Sequence, residues 1–227
     1  MSPRRLRLDA ELVRRGLARS RDHAAELIAG GRVTVSGATA TKPATGVTTD
    51  VALVVAADPT LEGEEDYVSR GGHKLAGALG VFEPLGLRVE GRRCLDAGAS
   101  TGGFTDVLIR HGAREVVAVD VGYGQLAWRL RQDDRVTVRD RTNVRDLEPA
   151  MIDGLVDLVV GDLSFISLTL VLEALTRITA ADGDLVLMVK PQFEVGRERV
   201  GKGGVVRDPA LRAEAVTHVA DAAAARG

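Results

Sequence analysis

Residues 92–122 read RRCLDAGASTGGFTDVLIRHGAREVVAVDVG. An apolar run ends on Asp96, small residues with Gly98, Gly102 and Gly103 follow, and a stretch of helical period leads to a second apolar run that ends on Asp120. The pattern predicts strand, loop, helix, strand. Further along, VTVRD, LVDLVVGDLS and GDLVLMVKPQ repeat it, again separated by segments of helical period. Apolar runs alternating with helices argue for parallel strands joined by crossovers, so the expected fold is α/β, a doubly wound and mainly parallel Rossmann-like sheet. Ligands of such sheets lie beyond the carboxyl ends of the strands.

Asp96, Asp120, Asp162 and Lys190 each end one of these runs. A strand-end Asp also serves as a helix cap, but four ionisable residues on one sheet edge point to a site. The first loop narrows the ligand. A dinucleotide fingerprint wants G-x-G-x-x-G, and Ser100 stands at the middle glycine; the G-K-[ST] of a phosphate-binding loop is absent too. Asp120 follows Gly98 by 120 − 98 = 22 residues, the distance at which an acid accepts hydrogen bonds from a ribose diol. A nucleoside without a pyrophosphate fits both facts. S-adenosylmethionine is the common cofactor of that description, its aminocarboxypropyl arm expected along residues 96–103.

The 227 residues, 45% of them hydrophobic, suffice for a small domain and a larger one. The net charge of −2 is uneven: residues 1–57 hold nine Lys+Arg against five Asp+Glu, and residues 58–68 hold five acids and no base. Cys94 is the single cysteine, so no intrachain disulfide forms and a reducing compartment fits. With no apolar leader and no run of membrane-spanning length, a soluble, cytoplasmic chain is expected. Only Lys42, Lys74, Lys190 and Lys202 are lysines among 30 basic residues; where arginine is the default, a lysine can mark a need for an amine that exchanges its proton.

The front of the chain, RLDAELVRRGLARSRDHAAELIAGGRVTVSG, predicts a helix around Leu8–Arg15 ended by Gly16, a second from a Ser20 cap through Ala29, then the strand VTVSG and, later, VALVVA. Arginines cluster at the helix ends. This pattern resembles the small α+β RNA-binding domain first defined in a small-subunit ribosomal protein and shared by tyrosyl-tRNA synthetases and many pseudouridine synthases. The resemblance implies that Arg19, Arg21, Arg32 and the turn Val33 to Gly37 meet phosphates of structured RNA.

YVSRGGHKL, LDAGASTGGFTDVL, VDVGYGQLAW, RTNVR, DLSFISL, VKPQFEVGRE and VGKGGVVRD, in that order, resemble the TlyA family of rRNA methyltransferases, whose members also carry the name haemolysin. The resemblance implies an RNA-binding domain joined to an FtsJ/RrmJ-like catalytic domain, with S-adenosyl-L-methionine as methyl donor. It implies 2'-O-methylation of cytidine in large-subunit rRNA, some members also modifying the small subunit. Family catalytic residues run Lys, Asp, Lys, Glu; Lys74, Asp162 and Lys190 match the first three. The Glu has no counterpart before Gly227, which implies a chain truncated relative to the family.

From these readings the expected division is an RNA-binding domain at 1–60, an acidic linker at 61–68 and a methyltransferase domain at 69–227. Cofactor contacts are expected from Asp96, Gly98, Ala99, Ser100, Gly102, Gly103, Phe104, Asp120, Val121, Asn143 and Asp162. RNA contacts are expected from Arg4, Arg14, Arg19, Arg21, Arg32, Arg70 and Lys202. No metal is expected, and the chain is expected to act as a monomer on rRNA or ribosomal subunits, away from membranes. Lys190 is the expected base, Asp162 its positioner, and Lys74 the holder of the ribose or its phosphate. Gly71 and Gly72 are expected to bring the helix start of Lys74 near a phosphate. Tyr123, Trp128 and Phe165 are expected mainly as packing residues, the alternative being that they flank the adenine or a splayed base, and GRERVGKGGVVRD as a mobile basic loop. The alternatives are an rRNA-binding assembly factor without catalysis and a membrane-active haemolysin.

Overall fold

The computed structural model describes residues 5–18, 20–56 and 67–226. Its contacts divide the chain into Met1–Asp66 and Tyr67–Gly227. Arg4, Arg19 and the acidic EGEED stretch lie outside the described residues.

In the first unit, β1 (Leu6–Arg7) runs into α1 (Leu8–Arg14), followed by α2 (Arg21–Ala29), β2 (Val33–Val35), β3 (Ala38–Thr39), β4 (Gly46–Val47) and β5 (Leu53–Val55). The helix boundaries have local causes. Gly16 takes a φ of 71°, which halts α1, and the Ser20 hydroxyl accepts from His23 N at 3.1 Å to start α2. Leu8, Leu12, Ala24, Leu27 and Ile28 bury one face of both helices against Val33 and Val47. β2 pairs antiparallel with β3 and β5, and β1 with β4.

The second unit holds α3 (Gly71–Phe82), β6 (Arg93–Ala97), α4 (Gly103–Arg110), β7 (Glu115–Val119), α5 (Trp128–Arg131), β8 (Val136–Arg139), β9 (Val156–Gly161), α6 (Leu172–Ile178), β10 (Thr179–Leu187), α7 (Pro191–Glu194) and α8 (Pro209–Ala224). The sheet order is β10-β9-β6-β7-β8, every pair parallel. All five strands predicted from sequence are present. Both sheet faces are covered, which is why the strands read as continuous apolar runs. Cys94, Val116, Leu158 and Val160 face Leu75 and Leu79 of α3 and Val107 and Leu108 of α4; their neighbours Leu95, Val117 and Val159 face Leu175, Ile178 and Val219 on the other side.

β10 begins at Thr179, ahead of the predicted run, with a register break between Thr179 and Asp184. Phe82, at the end of α3, is exposed. The stretch expected to be a mobile loop is closed by a Gly201–Val205 bridge, with Gly203 and Gly204 at positive φ, and tied by Arg199 to Glu214 at 2.7 Å. Among the described residues no helix is long and apolar enough to cross a membrane.

Candidate active site

The strand order places the site. The chain leaves central β6 toward β7 and β8, then returns on the other side through β9 and β10, so the crevice between the carboxyl ends of β6 and β9 is the switch point. Asp96 lies within the end of β6, Asp120 just past β7, Asp162 just past β9 and Lys190 beyond β10. α3 packs on α4 and carries Lys74 to the same edge.

There, Asp162 takes two ammonium groups. Lys74 Nζ donates to Asp162 Oδ2 at 2.7 Å, and Lys190 Nζ lies 2.7 Å from Oδ1 while donating to Ser164 Oγ at 2.6 Å. Lys190 sits off the hydrogen-bonding direction of Oδ1, so among the described residues Oδ1 is the buried side-chain polar atom left without a hydrogen bond. The ion pair is real in distance and the directed bond is absent. Burial would push the Asp162 carboxyl up, but the lysine ammoniums outweigh it and hold the carboxyl below its usual range. Ser164 escaped the sequence reading, although its place two residues after Asp162 was a signal.

The cofactor-side residues converge as well. Asp96 is buried, its Oδ2 accepting from Thr105 N at 2.9 Å and Thr105 Oγ1 at 2.7 Å. Burial chiefly, with Asp120 and Asp162 adding to it, raises its carboxyl to about 7. Asp120 is fixed by Ser100 N at 2.8 Å and Gly122 N at 2.7 Å; Gly98 N and Ala99 N both donate to Val119 O. Ser100 takes a φ of 48°, a left-handed conformation that turns the loop sharply. Val121 is exposed beside Asp120, and the Asn143 side chain caps the turn at Val144 by accepting from Arg145 N at 3.1 Å.

Several expectations need correction. A Cβ on Gly102 would strike Leu130 and Leu126, and one on Gly103 would strike Ser69 and, at 2.7 Å, Gly72 N. These glycines allow two helix starts and a hydrophobic cluster to pack closely, not only a ligand. Gly72 is buried under the Tyr67 ring, 2.5 Å from a would-be Cβ, and its N–H donates to Ser69 O at 3.0 Å, so packing by itself requires a glycine there. The anion at the start of α3 is the Asp162 carboxylate. Phe104 belongs to the core with Leu75 and Leu79. Tyr123, Trp128 and Phe165, expected as packing residues, are exposed, Phe165 by 92%. Phe165 takes a φ of 66° and its ring leans on Phe193 at 5.6 Å; the Arg141 guanidinium sits over Tyr123 at 4.5 Å.

Of the arginines expected to meet RNA, Arg14 pairs with Glu11, Arg21 with Asp9, and Arg32 Nε donates to Ala56 O at 3.0 Å. Arg70 and Lys202 are exposed.

With this geometry in view, the FtsJ-like methyltransferase family matches residues 67–226 and the S4 domain matches residues 6–51. The chain belongs to the FtsJ-like methyltransferases, and among them to the TlyA family. It is 61% identical over 217 residues to the Mycobacterium tuberculosis protein named 16S/23S rRNA (cytidine-2'-O)-methyltransferase TlyA, across 96% of this chain and 78% of that one. Hemolysin A of Brachyspira hyodysenteriae is 40% identical across 91% of this chain and 83% of its own. A solved structure from Streptococcus thermophilus with a provisional hemolysin name is 40% identical, with a TM-score of 0.70, covering 98% of this chain and 78% of that one.

Proposed function

We propose that the chain transfers a methyl group from S-adenosylmethionine to the ribose 2'-hydroxyl of a cytidine in ribosomal RNA, on large subunits and, as in the M. tuberculosis relative's name, small ones. The observation that carries this reading is the Lys74–Asp162–Lys190 cluster at the switch point. The chemistry there consists of alignment and the removal of one proton.

The residues fit the cofactor. Asp96, Asp120 and Asp162 lie close enough for Asp96 to feel the other two, and a ligand with an ammonium and a sulfonium would relieve that repulsion. Asp120, held by two backbone N–H groups, presents its remaining lone pairs to a ribose diol, with Val121 and Asn143 on the adenine side. Gly98 to Gly103 line the aminocarboxypropyl arm, Phe104 through its backbone alone. When bound, the cofactor supplies an electrophilic methyl group.

Lys190 is the base, taking the 2'-hydroxyl proton on Nζ; it must arrive neutral to do so. Asp162 and Ser164 orient it. Lys74 holds the reactive ribose or its phosphate. Phe165, exposed next to these residues, offers a face for a splayed base, with Tyr123 and Trp128 at the cofactor rim. Residues 1–60 form the RNA-binding domain, followed by the linker and the catalytic domain from 69. Arg4, Arg14, Arg19, Arg21, Arg32, Arg70 and Lys202 supply cations to phosphate. The chain works as a cytoplasmic monomer.

The test is incubation with methyl-labelled S-adenosylmethionine and unmethylated ribosomal subunits. Label at a cytidine 2'-oxygen is the expected result. Binding to subunits without transfer would instead favour an assembly factor.

A further inference from the structure

We infer that Asp9 and Glu11, the two buried carboxylates of α1, are positioning residues for RNA binding: they hold the guanidiniums of Arg7, Arg14 and Arg21 in a fixed fan that receives backbone phosphates. The inference rests on the RNA-binding reading of the first unit.

The geometry begins with burial. The Asp9 side chain is 5% exposed and that of Glu11 is 0%, and a buried carboxylate needs partners. One arginine binding through two N–H groups would satisfy each. Asp9 takes Arg7 in that way, at 3.1 and 2.8 Å, and also Arg21 Nη2 at 3.0 Å from the start of α2. Glu11 takes Arg14, at 2.7 and 2.6 Å, and also Arg15 Nε at 2.7 Å. Both carboxyls are held well below their usual range, mainly by these hydrogen bonds.

The four arginines then divide by exposure. Arg15 is 22% exposed and spends its fork on Val51 O at 2.7 Å and Thr49 O at 2.8 Å; it is a structural tie. Arg7, Arg14 and Arg21 are 51%, 55% and 58% exposed, although each is anchored. A guanidinium has five donors and these contacts use at most two, so each keeps donors for a further anion. An unanchored surface arginine forfeits rotamer entropy when it is fixed. Here the carboxylates impose that cost at folding, before RNA arrives.

The test turns on sign. Asp9→Asn removes a negative charge from an RNA-binding face, so if Asp9 merely dilutes the positive field, affinity rises. If Asp9 positions Arg7 and Arg21, affinity falls. With a fluorescein-labelled A-form RNA hairpin and with purified large subunits, the Asp9→Asn chain is expected to bind several-fold more weakly. Its plot of log K against log salt should be shallower by about 1 to 2, as for one or two lost phosphate contacts. Equal or tighter binding at an unchanged melting temperature overturns the inference. Arg7→Ala/Arg21→Ala is the control: if it binds RNA as the parent does, the RNA reading of this face fails, whatever Asp9 does. Should Asp9→Asn fold poorly, the parent protein decides. The Nε–H resonances of Arg7 and Arg14 should be dispersed in free protein and shift on adding the hairpin; unshifted resonances overturn the inference.

Discussion

At the residue scale, Asp162 and Asp96 show how one sheet edge drives two carboxyls in opposite directions. Asp162 meets two ammonium groups and is held down; Asp96 is buried with neutral donors and acidic neighbours and is raised to about 7. A raised acid costs stability once the unfolded chain has ionised: the cost grows as pH rises from about 4 and is complete above about 7. Asp96→Asn should therefore melt higher than the parent at pH 8, the gap closing toward pH 4, while losing cofactor affinity; a melting series over pH and a cofactor titration check both. Lys190→Arg keeps the charge beside Asp162 but cannot take a proton. Transfer should fall by about 10²-fold or more, the scale of general-base catalysis, with cofactor and RNA affinities within a few-fold. Normal turnover would remove Lys190 from the role of base.

At the element scale, the informative unit is α3 against α4. The start of α3 meets the start of α4 through Gly72 and Gly103, with Tyr67 lying over Gly72, and Asp106 of α4 accepts from Val68 N at 2.8 Å just before α3. This packing sets where Lys74 points. Gly72→Ala forces a methyl into the Tyr67 ring and should cost about 1–3 kcal/mol, the usual price of overpacking, together with transfer activity. Gly77 is exposed in the middle of the same helix with open space around it, so Gly77→Ala should stabilise by about 0.5–1 kcal/mol. Paired thermal melts and methylation assays separate the two. α7 is tied in similar fashion: Glu194 accepts from Ser167 Oγ at 2.6 Å and Leu168 N at 2.9 Å, bracing the loop that follows Asp162.

For the whole molecule, the two units should respond differently to acid. Asp9 and Glu11 have depressed carboxyls in the folded state, so their contribution is complete above the unfolded value near 4 and is lost as pH falls through the folded one. These two carboxyls should make the first unit lose stability from about pH 4 toward 2 and should contribute no pH dependence between pH 6 and 8. Asp96 acts with the opposite sign in the second unit, between about pH 4 and 7. Resonances assigned to each unit, followed through melts at several pH values, check this. The units should also separate by function: Arg14→Ala/Arg21→Ala should weaken binding to ribosomal subunits and leave S-adenosylmethionine affinity unchanged by calorimetry.

Periodicity sufficed for the five parallel strands and the two front helices, because apolar runs and capping residues such as Ser20 are local signals. The acids ending β6, β7 and β9 and the lysine beyond β10 could be placed on one edge from sequence because parallel strands share a direction. Side-chain partners could not be read in this way. That Lys190 would donate to Ser164, that Gly72 would serve Tyr67, that Phe165 would stand in solvent, and that Arg14 and Arg21 would be held by buried acids all depend on which elements pack together. A sequence carries the propensity of each segment, whereas a contact between distant segments exists only once the packed core has fixed their distance and facing.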